Sequence, residues 1–261
     1  MFISCSILGG IKSLAAPEVL LTNLIRTMVR VKDAGYDTVE LYYSNLPNWV
    51  GDTIQAALDD LKLRAYSIHL PKFLTLFDEK DFDETVSSAF SFIKAREIKV
   101  AVLHLPEQEQ LASPQWKRRL GVLLKEAENS GCILTLENIP YIKDVDQYIL
   151  NEIGKHNNRP LGITIDMEFM YINGSSIEWM INTFNGKIGN VHFRDSDGSL
   201  LGRDGYRQYI VPGEGKIDLH QAVKTLHVSG YRGPLTIEVS HRQGRNIIDA
   251  KKYAEDCLAN L

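Results

Sequence analysis

Apolar and polar residues alternate along this chain in short runs, and longer stretches with helical spacing separate them. Eight runs carry the two-residue period or the β-branched, apolar character of a strand: FISCSIL, DTVELYY, LRAYSIHL, IKVAVLHL, CILTLENI, LGITIDME, IGNVHFRD and PLTIEVS. Amphipathic, helix-length stretches lie between them, among them 18–34, 81–97, 114–129, 145–157, 216–229 and 244–259. Gly35, Gly131, Gly230 and Gly233 fall where helices should stop before the next strand. Asp218 is placed to cap the helix that follows it. Eight strand–helix units in 261 residues predict a (β/α)8 TIM barrel, typically ~250 residues, as one domain over 1–261. An open, doubly wound sheet is the alternative, but no GxGxxG or GxxxxGK[ST] follows the first strand.

The strand ends carry the chemistry. Glu40, His69, His104, Glu137, Asp166, His192 and Glu238 each stand near the C-terminal end of a different run, from the second to the eighth. Alternate strand residues share a face, so the residues two positions earlier should form a layer beneath. These are Thr38, Ser67, Val102, Thr135, Thr164, Asn190 and Thr236, and all but Val102 are polar. Branched apolar side chains normally fill a barrel, and buried carboxylates are costly unless paired or metal-bound. A polar ring at the C-terminal mouth therefore reads as an active site. Glu137, Asp166 and Glu238 would crowd three negative charges together, which calls for a compensating cation. With His192 they make an oxygen-rich site for one divalent ion. Mn²⁺, Mg²⁺ or Co²⁺ suits that donor set best, with zinc left open.

Composition narrows the function class. The 44% hydrophobic and 24% charged residues are ordinary for a globular chain, and no run approaches the ~20 apolar residues of a membrane span. The first residues lack the basic start of a signal peptide. Cys5, Cys132 and Cys257 are odd in number and widely spaced, which suits a reducing cytoplasm rather than a disulfide framework. A net charge of −4 and a pI of about 6.0 lack the basic footprint expected of a nucleic-acid binder. The polar loop from Asp195 to Gly215 holds Arg203 and Arg207, suited to an anionic substrate group. Trp49, Tyr42 and Phe169 are candidate apolar walls.

The stretches GYDTVELYY, YSIHLP, VLHLP, LTLENIP, ITIDMEF, NVHFRD, PGEGKIDL and TIEVS, in this order and spacing, resemble the xylose-isomerase-like barrel superfamily. That superfamily holds sugar and sugar-phosphate isomerases and epimerases, and the endonuclease-four-type apurinic endonucleases. The resemblance implies Glu137, Asp166, His192 and Glu238 as metal ligands, the same four that the strand pattern brings together. It implies an isomerase or epimerase of a small sugar, sugar phosphate or polyol. Glu137 and Glu238 would transfer a proton through an enediolate, and His69, His104, Glu40, Arg203 and Arg207 would contact substrate. The chain departs from the family in two places. Phe169 stands where a DxxH motif would place a histidine, and Arg207 and Tyr209 stand where the endonucleases use Asp-x-His for a trinuclear zinc site. DNA repair is thus the alternative, a non-catalytic sugar-binding barrel is a third reading, and dehydration and a homo-oligomer stay open.

Overall fold

The eight runs become eight parallel strands that pair in chain order and close, β8 hydrogen-bonding to β1. A computed structural model describes residues 1–7, 17–43, 48–72, 74–76, 78–202, 205–240 and 244–261. The strands are β1 Phe2–Ser6, β2 Thr38–Tyr42, β3 Arg64–His69, β4 Val100–Leu103, β5 Ile133–Glu137, β6 Leu161–Asp166, β7 Ile188–Phe193 and β8 Pro234–Ile237. Helices alternate with them: α1 Pro17–Asp33, α2 Asn48–Asp60, α3 Glu79–Ala95, α4 Pro114–Ser130, α5 Val145–Lys155, α6 Met167–Ile172, α7 Ile177–Thr183, α8 Leu219–Val228 and α9 Gly244–Ala259. The result is a single (β/α)8 TIM barrel.

Local sequence explains the boundaries. Pro114 opens α4, where its missing N–H costs nothing, and Ser113 Oγ accepts the Trp116 N–H at 3.1 Å. Gly131 closes the same helix at φ 67°, a left-handed conformation that a side chain would strain. Asp218 caps α8 as expected, accepting the Gln221 N–H at 2.9 Å. Two features exceed the sequence pattern. One is α2. The other is the connection after β6, which breaks into α6 and α7 because Ser176 starts a new cap by accepting the Trp179 N–H.

Strand alternation sorts the two faces. Leu134 and Leu136 of β5, Ile163 and Ile165 of β6, and Val191 and Phe193 of β7 are buried in the core outside the sheet. Each such side chain is worth roughly 1.5–3 kcal/mol of burial. The barrel interior is polar and hydrogen-bonded. Thr135 and Thr164 hydroxyls meet at 2.7 Å, Thr236 donates to Asn190 Oδ1 at 2.7 Å, and Ser67 and Asn190 each donate to Glu40 Oε2 at 2.8 Å. This mutual satisfaction lets a water-poor interior hold polar side chains. It forms a rigid floor under the mouth.

Candidate active site

Glu137 and Asp166 end β5 and β6, His192 is the penultimate residue of β7, and Glu238 follows β8 directly. One donor atom from each of these four lies within 4.8 Å of the others, and all four residues are buried. His192 Nδ1 stands 2.8 Å from Glu137 Oε1, 3.5 Å from Glu238 Oε2 and 3.8 Å from Asp166 Oδ2. Its other nitrogen, Nε2, lies 3.2 and 3.4 Å from the two Glu40 carboxylate oxygens. Glu40 thereby favours the tautomer with the proton on Nε2, which turns the Nδ1 lone pair toward the three carboxylates. An outer carboxylate orienting a ligating imidazole is the arrangement metal sites use.

Glu40 lies lower than the sequence pattern placed it. A register shift between Val39 and Glu40 pairs Glu40 with Ser67 and brings Tyr42 beside His69. Its side chain is fully buried beneath His192, away from the mouth. His69 and His104 flank Glu137 on the other side. His69 Nδ1 lies 2.7 Å from the Leu70 carbonyl, so it donates there and leaves the Nε2 lone pair facing the pocket. His104 Nε2 lies 2.5 Å from Glu137 Oε2, but the alignment leaves that oxygen without a formed hydrogen bond. The Tyr141 hydroxyl approaches His104 Nδ1 at 3.4 Å. His69, His104 and Glu137 form a second group of donors that shares Glu137 with the first.

Arg194, to which the strand pattern gave no role, is the central cation. It is 3% exposed, and its Nη1 donates to Asp166 Oδ2 at 2.8 Å and to Glu238 Oε2 at 3.2 Å. Its Nη2 contacts the Glu168 carboxylate. Arg207 grips the same carboxylate through both terminal nitrogens and also donates to the Leu200 and Gln208 carbonyls. Both guanidiniums stack between the Phe169 and Tyr209 rings at 5.1–5.7 Å from the centroids. Arg207 is thus bound to the protein itself rather than projecting into the mouth. Arg203 and the side chain of Trp49 lie outside the described residues. Asp195 fixes the loop that carries Arg207: its carboxylate accepts the N–H groups of Ser196, Gly213, Gly215 and Ile217.

The electrostatics favour a bound cation. Burial would raise the Glu137 carboxyl, but the His104 and His192 imidazoles hold it well below the usual range. Burial opposes ionisation of Glu238 as well, and Arg194 and His192 still bring it to about 2. Burial disfavours a charged His192, yet Glu40 and Glu137 raise its pKa well above normal. The field that draws a proton to Nδ1 would equally draw a metal ion in its place. With His192 neutral, five carboxylates (Glu40, Glu137, Asp166, Glu168 and Glu238) face two guanidiniums in this cluster. Lys72 also acts on Glu238, so at least two negative charges remain uncompensated. A divalent ion fits both that excess and the mixed oxygen–imidazole donor set.

The profile of the family described as xylose isomerase-like TIM barrel matches residues 28–259, and the chain belongs to that family. The inosose isomerase of Halalkalibacterium halodurans is 24% identical over 240 residues, covering 84% of this chain and 83% of that one. An uncharacterised protein of Methanocaldococcus jannaschii, MJ1311, is 29% identical over 141 residues, 52% of this chain and 45% of its own length. A solved D-tagatose 3-epimerase-like protein superposes with a TM-score of 0.79 at 18% identity, covering 100% of this chain and 98% of that one. A xylose isomerase-like TIM barrel protein from Mycobacterium smegmatis, solved in complex with magnesium, superposes with a TM-score of 0.75 at 14% identity over 99% and 96% of the two chains. Among the described residues no helix is long and apolar enough to cross a membrane.

Proposed function

We propose that this protein is a divalent-metal-dependent isomerase or epimerase of a small sugar, sugar phosphate or polyol. The observation that carries the reading is the convergence on His192 Nδ1 of three carboxylates from different strands, with Glu40 holding the opposite nitrogen. The inosose isomerase among the relatives and the magnesium complex among the neighbours support the same choice. Glu137, Asp166, His192 and Glu238 would hold one ion, with manganese, magnesium or cobalt suited to the donors and zinc left open. Once bound, the ion would supply a Lewis acid to adjacent substrate oxygens and lower the cost of removing a carbon-bound proton.

The chain's own groups then divide the work. Glu137 and Glu238 stand on strands three apart around the ring and can face a substrate carbon from opposite sides. One takes the proton and the other returns one, general acid–base catalysis worth typically ~10²–10⁴-fold. Asp166 and His192 chiefly hold the ion. His69, with Nδ1 engaged by Leu70, accepts a substrate hydroxyl at Nε2, and His104 orients Glu137. We assign Glu40 to fixing His192 and Arg207 to fastening the loop, both one step from the substrate. Three buried cysteines, with no disulfide among the described residues, accord with a reducing compartment such as the cytoplasm.

The test is exchange of the substrate's carbon-bound proton with deuterium from solvent, followed by NMR across a panel of ketoses and inososes with manganese-loaded protein. Glu137→Gln and Glu238→Gln keep size and one oxygen donor while removing the base. Each should lower exchange by ~10²-fold or more without losing the folded spectrum. Wild-type exchange in both variants, on a substrate the native protein converts, rejects the shuttle.

A further inference from the structure

A groove of about 880 Å³ opens beside the barrel mouth, between the loop after β5 and the turn joining α6 to α7. That size lies within the range of ligand sites. Tyr141 and Trp179 line it and are 60% and 42% exposed. Tyr141 joins the groove to the site already described, because its hydroxyl is the partner that approaches His104 Nδ1. The groove's other wall is equally tied to that site. Asn173 donates to the Asn138 carbonyl, and Asn138 clasps the backbone of Asp166 through both its side-chain atoms. A molecule seated in the mouth can therefore extend past Tyr141 onto a rigid surface.

The polar lining has unspent capacity. Asp146 is 7% exposed, and while its Oδ2 accepts from Ser175, its Oδ1 has no hydrogen-bond partner among the described residues. Asp144 sits at the start of α5 in a left-handed conformation, φ 53°, and its side chain makes no capping hydrogen bond. Non-glycine residues held in that conformation tend to occur at binding sites. Exposed aromatic faces suit the C–H face of a sugar ring, and carboxylate and amide side chains accept and donate to hydroxyls. Two carboxylates against the single lysine of the lining disfavour an anionic occupant such as phosphate.

We propose that this groove holds a second, non-reacting ring, so that the substrate is a glycosylated ketose rather than a free monosaccharide. The proposal rests on the sugar-processing reading of the mouth but is testable apart from it. Binding and solvent deuterium exchange are measured on the manganese-loaded protein with fructose and with maltulose, isomaltulose and lactulose, each a ketose bearing a second ring. At least one disaccharide should bind about tenfold more tightly than fructose, the scale of one well-packed aromatic contact. Trp179→Ala should bring the two to parity. Gln147→Trp, which fills the groove from an exposed position on α5, should do the same if the alanine variant folds poorly. Tight disaccharide binding without any exchange would sink the isomerase reading and leave the groove proposal standing. Equal binding of fructose and all three disaccharides, or a preference that both variants preserve, overturns it. So does a dimer in light scattering that Trp179→Ala dissociates, because the groove would then be a subunit face.

Discussion

Replacing Arg194 by methionine keeps most of the side chain's length but removes a buried cation that touches Asp166, Glu168 and Glu238 together. With charge centres ~4 Å apart and an effective dielectric near 20, each of those pairs is worth about 4 kcal/mol before desolvation is counted. Desolvation of the guanidinium offsets much of this, and removing one member of such a buried set typically costs ~3–5 kcal/mol. A domain of this size loses roughly 2–4 °C of Tm per kcal/mol, so in chelator Arg194→Met should melt roughly 6–20 °C below wild type. Manganese should then rescue the variant more than it stabilises wild type, because an ion held by the proposed ligands would neutralise the Asp166 and Glu238 carboxylates that Arg194 already binds. For scale, an ion present at ~100 times its Kd stabilises by about 2.7 kcal/mol. Titration calorimetry should accordingly give tighter manganese binding in Arg194→Met than in wild type. Arg194→Lys, with charge but no fork, should fall between them. Unchanged melting in chelator, or weaker manganese binding by the methionine variant, would refute the idea that guanidinium and metal share these carboxylates.

Two further outcomes follow from the same geometry. Glu40→Gln keeps a side chain beneath His192 but no longer anchors its Nε2–H with a charge, so divalent-metal affinity should fall by ~10–100-fold; calorimetry that finds native affinity would remove Glu40 from the site. Purified protein should leave abasic duplex DNA uncut even with zinc supplied, since Phe169, Arg207 and Tyr209 stand where a trinuclear site needs histidine and aspartate; metal-dependent incision at substrate-limited rates would promote the endonuclease reading.

Much of the site was legible because extended chain makes sequence separation a reliable guide to direction. Glu137, Asp166, His192 and Glu238 recur once per strand unit, and period two places each above a polar residue that the structure finds hydrogen-bonded inside the barrel. The same rule misplaced Glu40, since the irregularity between Val39 and Glu40 shifts the strand by one step and no residue type there announces it. Arg194 was within reach of the rule: it stands two residues past His192, on the parity already followed from Asn190. It drew no role because the ring was read as one residue per strand, and on that strand His192 was the residue taken.

The remaining features depend on contacts that no local period encodes. Glu168 meets Arg207 across 39 residues, and Asp195 gathers amides from as far as Ile217. These contacts exist only after the loop has closed. Phe169 on the one hand, and Arg207 with Tyr209 on the other, were visible in sequence as two separate departures from the family pattern. The fold makes them one feature, with the aromatic rings enclosing the two guanidiniums that bind Glu168. Substituting a histidine for Phe169 alone would therefore remove a stacking face without supplying the acidic and imidazole partners of a further metal. These residues are packed as one unit, so the departures have to change together.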